Sequence, residues 1–307
     1  MKKVLITGAS GLLGKAVLRQ LEEKKEYEVY AVTTKQENLI GYNHAHITLC
    51  DLSDEVQRDK IIKNIAPDIL IHLAWNQENS DFRMSEENLK WLNISMELLY
   101  SFEKYGGKRF LFAGSSSEYD GANGVFDESA DIVPSTLYGL CKKTFNDFAN
   151  QYCRVRNIDY VGMRLFTIYG REDRHSFGAI PSAIHGLIHG EKIICNSPNT
   201  TRDYIYAEDA AHIVVQLMEH TYKGILNVAS GIPRNMREVF ECIGKSLNQL
   251  ENIRFNEENM TENRFEADIS LMKQLGLTGY NSCFEKNIDD IVKGRLEMYR
   301  RNNNEIL

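Results

Sequence analysis

Lys2-Lys-Val-Leu-Ile-Thr7-Gly8-Ala-Ser-Gly11-Leu-Leu-Gly14 opens the chain, and the reading of this run decides the fold. Its first part is a short apolar run of strand length. From Leu12 onward, Val17, Leu18 and Leu21 recur on one side with helical spacing. Glycines 8, 11 and 14 lie between strand and helix and do three jobs. One permits the tight turn, one lets a pyrophosphate approach the backbone, and one lets the helix pack close to the sheet. The helix N-terminus adds free N–H groups and the positive end of its dipole. The spacing is Gly-x-x-Gly-x-x-Gly rather than the commoner Gly-x-Gly-x-x-Gly.

Working outward, strand-like and helical runs alternate. Strands are expected at 3–7, 28–33, 46–50, 69–74, 109–114 and 159–165, and helices at 12–24, 54–64, 84–105 and 136–157, with a short turn near 36–41. Pro67-Asp-Ile-Leu-Ile-His-Leu-Ala74 is nearly all apolar, as a strand buried on both faces should be. The alternation predicts an α/β fold, a Rossmann-type doubly wound parallel sheet. After about residue 166 the pieces shorten. Helices are expected at 179–189, 207–219, 235–248, 268–275 and 284–301, with strands near 192–195, 203–206 and 225–228. We divide the chain into a dinucleotide-binding domain, 1–165, and a smaller second region, 166–307. No Pro/Gly/Ser-rich linker separates them, so the second packs directly on the first and can exchange segments with it.

The 307 residues, 43% hydrophobic, suffice for a large core. No uninterrupted apolar stretch approaches membrane-spanning length, and the first residues read as a strand rather than a signal peptide. With net charge −7 and no basic stripe, nucleic acid is not an expected partner. Cysteines 50, 141, 153, 195, 242 and 283 show no Cys-x-x-Cys pair and read as reduced thiols of a cytoplasmic protein. No metal site is expected; His185 and His189 read as one face of a helix.

Tyr138 and Lys142 stand four apart, on one face of an expected helix. An ammonium beside a phenol favours the ionised form and lowers its pKa, which suits proton transfer in a hydroxyl–ketone interconversion. Ser115, Ser116 and Ser117 end the fifth strand, where a doubly wound sheet binds its ligand, although hydroxyls there also satisfy turn backbone. Asp51, ending the third strand, reads either as an acceptor for an adenine amino group or as a helix cap, a job for which Ser53 and Asp54 are better placed. His72-Leu73-Ala74 ends the fourth strand with residues small or apolar enough for a ligand to lie close. A Ser–His–Asp hydrolase fits worse, because Gly-x-Ser-x-Gly is missing.

These motifs, followed by Met163-Arg164-Leu-Phe-Thr-Ile-Tyr169-Gly170, Arg202-Asp203-Tyr-Ile-Tyr-Ala-Glu-Asp209 and Leu226-Asn227-Val-Ala-Ser-Gly231, resemble the extended short-chain dehydrogenase/reductases that act on nucleotide sugars. The resemblance runs over most of the chain. It implies an enzyme with a Ser115–Tyr138–Lys142 catalytic site and a nicotinamide cofactor. Thr7, Gly8, Gly11, Leu12, Leu13, Gly14, Thr33, Lys35, Asp51, Leu52, Leu73, Ala74, Tyr138 and Lys142 would contact that cofactor. Ser116, Ser117, Thr167 and Arg202 would contact a nucleotide-diphosphate sugar. Arg202 would pair with the diphosphate, a role that suits a guanidinium fork, against the plainer reading of an Arg202–Asp203 surface ion pair. It also implies a homodimer through the helices at 84–105 and 136–157; the apolar spacing of Leu89, Leu92, Met96 and Leu99 fits a buried face there, and burial against the sheet explains that spacing equally well.

Departures from the family pattern narrow the reaction. Ser116-Ser117 replaces the Asp-Glu pair of the 4,6-dehydratases. Ser117 and Gly178 stand where bifunctional epimerase–reductases carry a cysteine and a histidine, and Thr167 replaces a usual asparagine. What remains is an NADPH-dependent ketoreductase of a 4-keto-(6-deoxy) sugar, or an NAD-dependent 4-epimerase. Val29-Tyr-Ala-Val-Thr33-Thr34-Lys35 has no acid at the end of the second strand to hold a ribose 2′-hydroxyl, so NADP(H) is preferred over NAD(H), which remains possible. A non-catalytic NADP-binding sensor is the third reading, against which the retained trio argues.

Overall fold

Burial with period two organises the first strand, β1 (Lys2–Thr7). Val4 and Ile6 enter one apolar layer and Leu5 the other, so both faces are covered. The computed structural model describes residues 1–77, 80–173, 178–259, 261–279 and 283–304. After β1 come α1 (Leu12–Leu21), β2 (Tyr27–Thr33), β3 (His46–Leu49), α2 (Glu55–Ile65), β4 (Ile69–His72) and α3 (Glu87–Lys104). Then follow β5 (Arg109–Ala113), β6 (Gly124–Phe126), α4 (Leu137–Arg156), β7 (Asp159–Leu165), β8 (Thr167–Tyr169), α5 (Ala179–Ile188) and β9 (Ile193–Cys195). The rest is β10 (Thr201–Tyr206), α6 (Ala207–Glu219), β11 (Gly224–Val228), β12 (Pro233–Asn235) and α7 (Met236–Leu247). It ends with β13 (Ile253–Phe255), β14 (Arg264–Ala267), α8 (Ser270–Gln274) and α9 (Phe284–Asn304).

Seven strands form one parallel sheet in the order β3-β2-β1-β4-β5-β7-β11. The chain runs outward from β1 to β3 and then returns to set β4 beside β1. That reversal opens a crevice beyond the carboxyl ends of β1 and β4, where doubly wound sheets bind ligands. Helices α1 and α6 cover one face, and α2, α3 and α4 the other. The expected Rossmann-type fold is therefore the observed one. β4 ends at His72 rather than at 74, and the Leu73 N–H still donates to the Thr7 carbonyl at 3.2 Å in the β1–β4 ladder.

Segments cross the 165/166 division in both directions. β11 joins the large sheet beside β7, α6 packs on α1, and β6 pairs with β14 in a second sheet ordered β12-β10-β14-β6. β8 pairs with β10, and a third core lies among α5, α7 and α9. β6, β8, β12, β13 and β14 are not foreseen in the sequence. Each is three or four residues long and is held by partners far along the chain. Among the described residues, no helix is long and apolar enough to cross a membrane, and no group of three or more His, Cys, Asp and Glu is placed to hold a metal.

Candidate active site

The turn between β1 and α1 is shaped by what it excludes. Gly8 has φ +68°, and a Cβ there would lie 2.6 Å from the Ala74 nitrogen. A Cβ on Gly14 would lie 2.2 Å from the Gly8 carbonyl oxygen. Gly11 is the N-cap of α1, with no side-chain cap and no acid in the first turn. The first N–H groups of α1 are thus left to a ligand, and the donor set fits a diphosphate. Thr7 fixes the floor. Its hydroxyl lies 2.6 Å from His72 Nδ1, His72 Nε2 lies 2.9 Å from Ser95 Oγ, and that hydroxyl donates to the Trp91 carbonyl at 2.7 Å. Because Ser95 spends its proton on Trp91, the ring carries its own on Nε2 and accepts from Thr7 at Nδ1. Burial pushes the His72 pKa down to about 3, so the ring is neutral.

Around this turn Leu13, Leu52 and Ala74 are buried, while Leu12 and Leu73 are partly covered. Asp51 is exposed; one of its oxygens takes the Ser53 N–H at 2.9 Å and hydroxyl at 2.7 Å. The capping job belongs to Asp54, which accepts from Gln57 N at 3.0 Å. At the end of β2 the buried Thr33 hydroxyl is spent on its own turn, donating to the Lys35 carbonyl at 3.1 Å, whereas Thr34 and Lys35 are exposed.

Tyr138 is the second residue of α4, whose N-cap Thr136 accepts from Gly139 N at 3.1 Å. A Cβ at Gly139 would lie 2.1 Å from the Ser117 carbonyl oxygen, so α4 starts pressed against the turn after β5. That contact sets the Tyr138 hydroxyl near the Ser115 side chain, which acts on its ionisation. Burial pushes the phenol up to about 12; the Ser115 side chain and the Arg83 charge act downward, Glu118 and Asp120 upward.

The expectation that Lys142 lowers this pKa is corrected here. Helical spacing sets both residues on one face, but the Lys142 amine finds a nearer acceptor. It donates to the Ala113 carbonyl at 2.7 Å and lies 3.8 Å from the centre of the Trp75 ring. Burial there lowers its own pKa to about 7.

On the far side Ser117 is buried and gives its N–H to Ser115 Oγ at 3.0 Å, and Ser116 is partly buried. Neither acid of this segment faces an open site. Glu118 accepts from Ser115 N at 3.0 Å, Asn146 Nδ2 at 2.6 Å and Arg164 Nε at 2.9 Å. Asp120 takes Arg83 at 3.2 Å and the Thr136 hydroxyl at 3.0 Å. Arg202 lies over the Phe265 ring and donates to the Thr201 carbonyl and Asn263 Oδ1, both at 3.0 Å. Among the described residues no carboxylate forms an ion pair with it. Asp203 is turned instead to the Ser230 and Gly231 N–H groups, each at 2.8 Å, so these neighbours do not pair with each other. Thr167 is exposed at the start of β8, opposite Tyr204 of β10. Arg83 acts electrostatically on both Tyr138 and Arg202, which links the two ends of the site.

Four contributors were not read from the sequence: Trp75, Gln77, Phe82 and Arg83. Gln77 Nε2 donates to the Tyr138 hydroxyl at 2.7 Å, and Phe82 meets the Tyr138 ring edge-on at 5.1 Å. Their one signal is position, in the loop that follows β4 at the crevice.

A family model described as NAD dependent epimerase/dehydratase family matches residues 4–229. Among solved structures, the chain is similar to UDP-N-acetylglucosamine 4-epimerase from Methanobrevibacter ruminantium in complex with UDP-N-acetylmuramic acid. Identity is 24% over 97% of this chain and 99% of that one, with TM-score 0.85. It is similar also to the UDP-glucose 4-epimerase of Thermus thermophilus complexed with NAD, at 19% identity, 95% and 98% coverage and TM-score 0.82. A third is dTDP-glucose 4,6-dehydratase from Bacillus anthracis str. Ames in complex with NAD, at 16% identity, 97% of each chain and TM-score 0.82. At these identities the likeness shows the shared fold.

Proposed function

Because the chain belongs to the NAD dependent epimerase/dehydratase family, enzymes of the extended short-chain dehydrogenase/reductase type, we propose that it is an NADPH-dependent ketoreductase of a nucleotide-activated 4-keto-(6-deoxy) sugar. One observation carries this reading. Ser115 and Tyr138 meet in a buried site while both acids of segment 115–120 are committed elsewhere, which leaves proton donation to a ketone without a base for water elimination.

When bound, the nicotinamide cofactor supplies the hydride. Tyr138 gives a proton to the carbonyl oxygen, and Ser115 hydrogen-bonds the same oxygen and fixes its position. The glycine turn and the start of α1 hold the cofactor's diphosphate, and Asp51 takes its adenine amino group with the oxygen that Ser53 leaves free. Lys142 holds the nicotinamide ribose. Arg202 takes the substrate's diphosphate, and Ser116, Ser117 and Thr167 contact the sugar. Stoichiometry tests the reading. With a panel of nucleotide-linked 4-keto sugars, a reductase consumes one NADPH per product. Interconversion of two ordinary UDP sugars with no net change in nicotinamide absorbance overturns it in favour of a 4-epimerase.

NADP(H) is the cofactor we assign. Since the Thr33 hydroxyl is held within its own turn, the charge for a 2′-phosphate falls to Lys35. A charge-assisted contact of about 1.5–3 kcal/mol gives a preference of about tenfold or more. Lys35→Asp should abolish or reverse that preference in titration calorimetry; equal affinities in the parent protein would refute it.

We assign a homodimer through α3 and α4. Of the residues with apolar spacing, Leu99 is buried against the sheet, whereas Leu89 is exposed, as are Tyr100, Leu140, Phe148 and Val155. Met96, Tyr100, Phe148 and Tyr152 line a groove between the two helices. Exposed apolar residues gathered on one face mark an interface. Sedimentation at micromolar concentration should give a dimer that Tyr100→Glu with Phe148→Glu dissociates.

A further inference from the structure

The loop after β4 closes on the reacting phenol from two sides. Its Gln77 amide donates to the Tyr138 oxygen at 2.7 Å, and the Tyr138 N–H in turn donates to the Arg83 carbonyl at 2.9 Å. The Phe82 ring packs edge-on against the phenol ring. Lys142 makes no such contact with the phenol oxygen: its amine donates to the Ala113 carbonyl and lies over the Trp75 ring. We propose that Gln77 is a catalytic residue, whose amide N–H holds the Tyr138 oxygen and stabilises the phenolate formed when the phenol protonates the substrate.

The inference rests on the ketoreductase reading. In that reaction the carbonyl carbon gains the hydride, NADPH being oxidised to NADP⁺. The carbonyl oxygen takes the phenol's proton, and the phenolate is reprotonated from solvent. A primary amide nitrogen offers two donors and no acceptor, so it favours the ionised phenol one-sidedly, unlike the Ser115 hydroxyl, which both donates and accepts. A hydrogen bond to a charged oxygen is about twice as strong as one to a neutral oxygen, so the Gln77 contact strengthens as the proton leaves. The charged groups around the phenol oppose one another. Arg83 favours the phenolate, and Glu118 and Asp120 disfavour it. Lys142 lies 5.7 Å from the ring centre on the same helix. Gln77 is the neutral donor set directly on the oxygen.

The test places 3,5-difluorotyrosine at position 138 and follows its fluorine resonance against pH, with no substrate needed. Gln77→Leu should raise the titration midpoint by about one pH unit or more, and Gln77→Glu should raise it further. If Gln77→Leu fails to fold, Gln77→Glu carries the comparison alone. With a 4-keto sugar nucleotide and natural tyrosine, Gln77→Leu should lower kcat about tenfold or more with little change in KM. An unmoved fluorine midpoint overturns the inference. A midpoint that moves while no keto sugar is reduced supports the Gln77–phenol contact and overturns the ketoreductase reading instead.

Discussion

Replacing Tyr138 by phenylalanine is expected to lower turnover by about a hundredfold or more while leaving sugar-nucleotide affinity nearly intact. The ring stays where it is, packed against Trp75 and Phe82, and only the hydroxyl is lost. That hydroxyl is the proposed acid, so the loss falls on the step in which the carbonyl oxygen gains its proton. Steady-state kcat with calorimetric binding of the sugar nucleotide checks this; affinity falling as far as kcat would make the phenol a binding group. The phenol sits at about 12 and keeps its proton across neutral pH, whereas buried Lys142 titrates near 7. The free protein should therefore gain stability as pH rises from about 7 toward the ordinary lysine value. Over that range the unfolded chain still binds a proton that the folded chain has released. Lys142→Met should remove this slope in denaturation curves measured across the same range.

The parts legible in the sequence are those whose signal is local. Val4-Leu5-Ile6 and Ile69-Leu70-Ile71 announce strands buried on both faces by composition alone, and glycines 8, 11 and 14 announce a turn that excludes a Cβ. All six strands and four helices expected before residue 166 lie within three residues of their expected ends. β8 illustrates what was hidden: Thr-Ile-Tyr is too short to show a period and is a strand only because Tyr204, Ile205 and Tyr206 lie beside it. The site divides in the same way. The positions of Ser115, Tyr138 and Lys142 follow from strand ends and helical spacing, but the direction of the Lys142 amine depends on the Ala113 carbonyl and on Trp75, contacts that spacing does not carry. Gln77 reaches Tyr138 across 61 positions of chain.

Glu118→Leu is expected to destabilise the protein by about 3–5 kcal/mol, the cost of leaving a buried charge without its partner. Glu118 and Arg164 are both buried and joined at 2.9 Å, and the network continues from Arg164 to the Tyr119 hydroxyl at 2.7 Å and the Glu128 carbonyl at 3.1 Å. Gly114 and Gly162 make room for it: a Cβ on either would press on Asn146, whose Oδ1 accepts from Tyr160 at 2.6 Å. Burial raises the Glu118 pKa while Arg164 opposes that rise, so the carboxylate depends on its partner to stay ionised. Arg164→Leu should cost a similar amount, and the double variant less than the sum, because removing both charges leaves neither unpaired. A coupling of about 1 kcal/mol or more in denaturant titrations would show this, and simple additivity would refute it. The effect reaches the chemistry through the backbone. Glu118 Oε1 holds the Ser115 N–H and Ser115 Oγ holds the Ser117 N–H, so losing the carboxylate frees the turn that aims Ser115 at Tyr138. Turnover in Glu118→Gln, which keeps an oxygen for that N–H, should therefore fall less than in Glu118→Leu at a temperature where both remain folded.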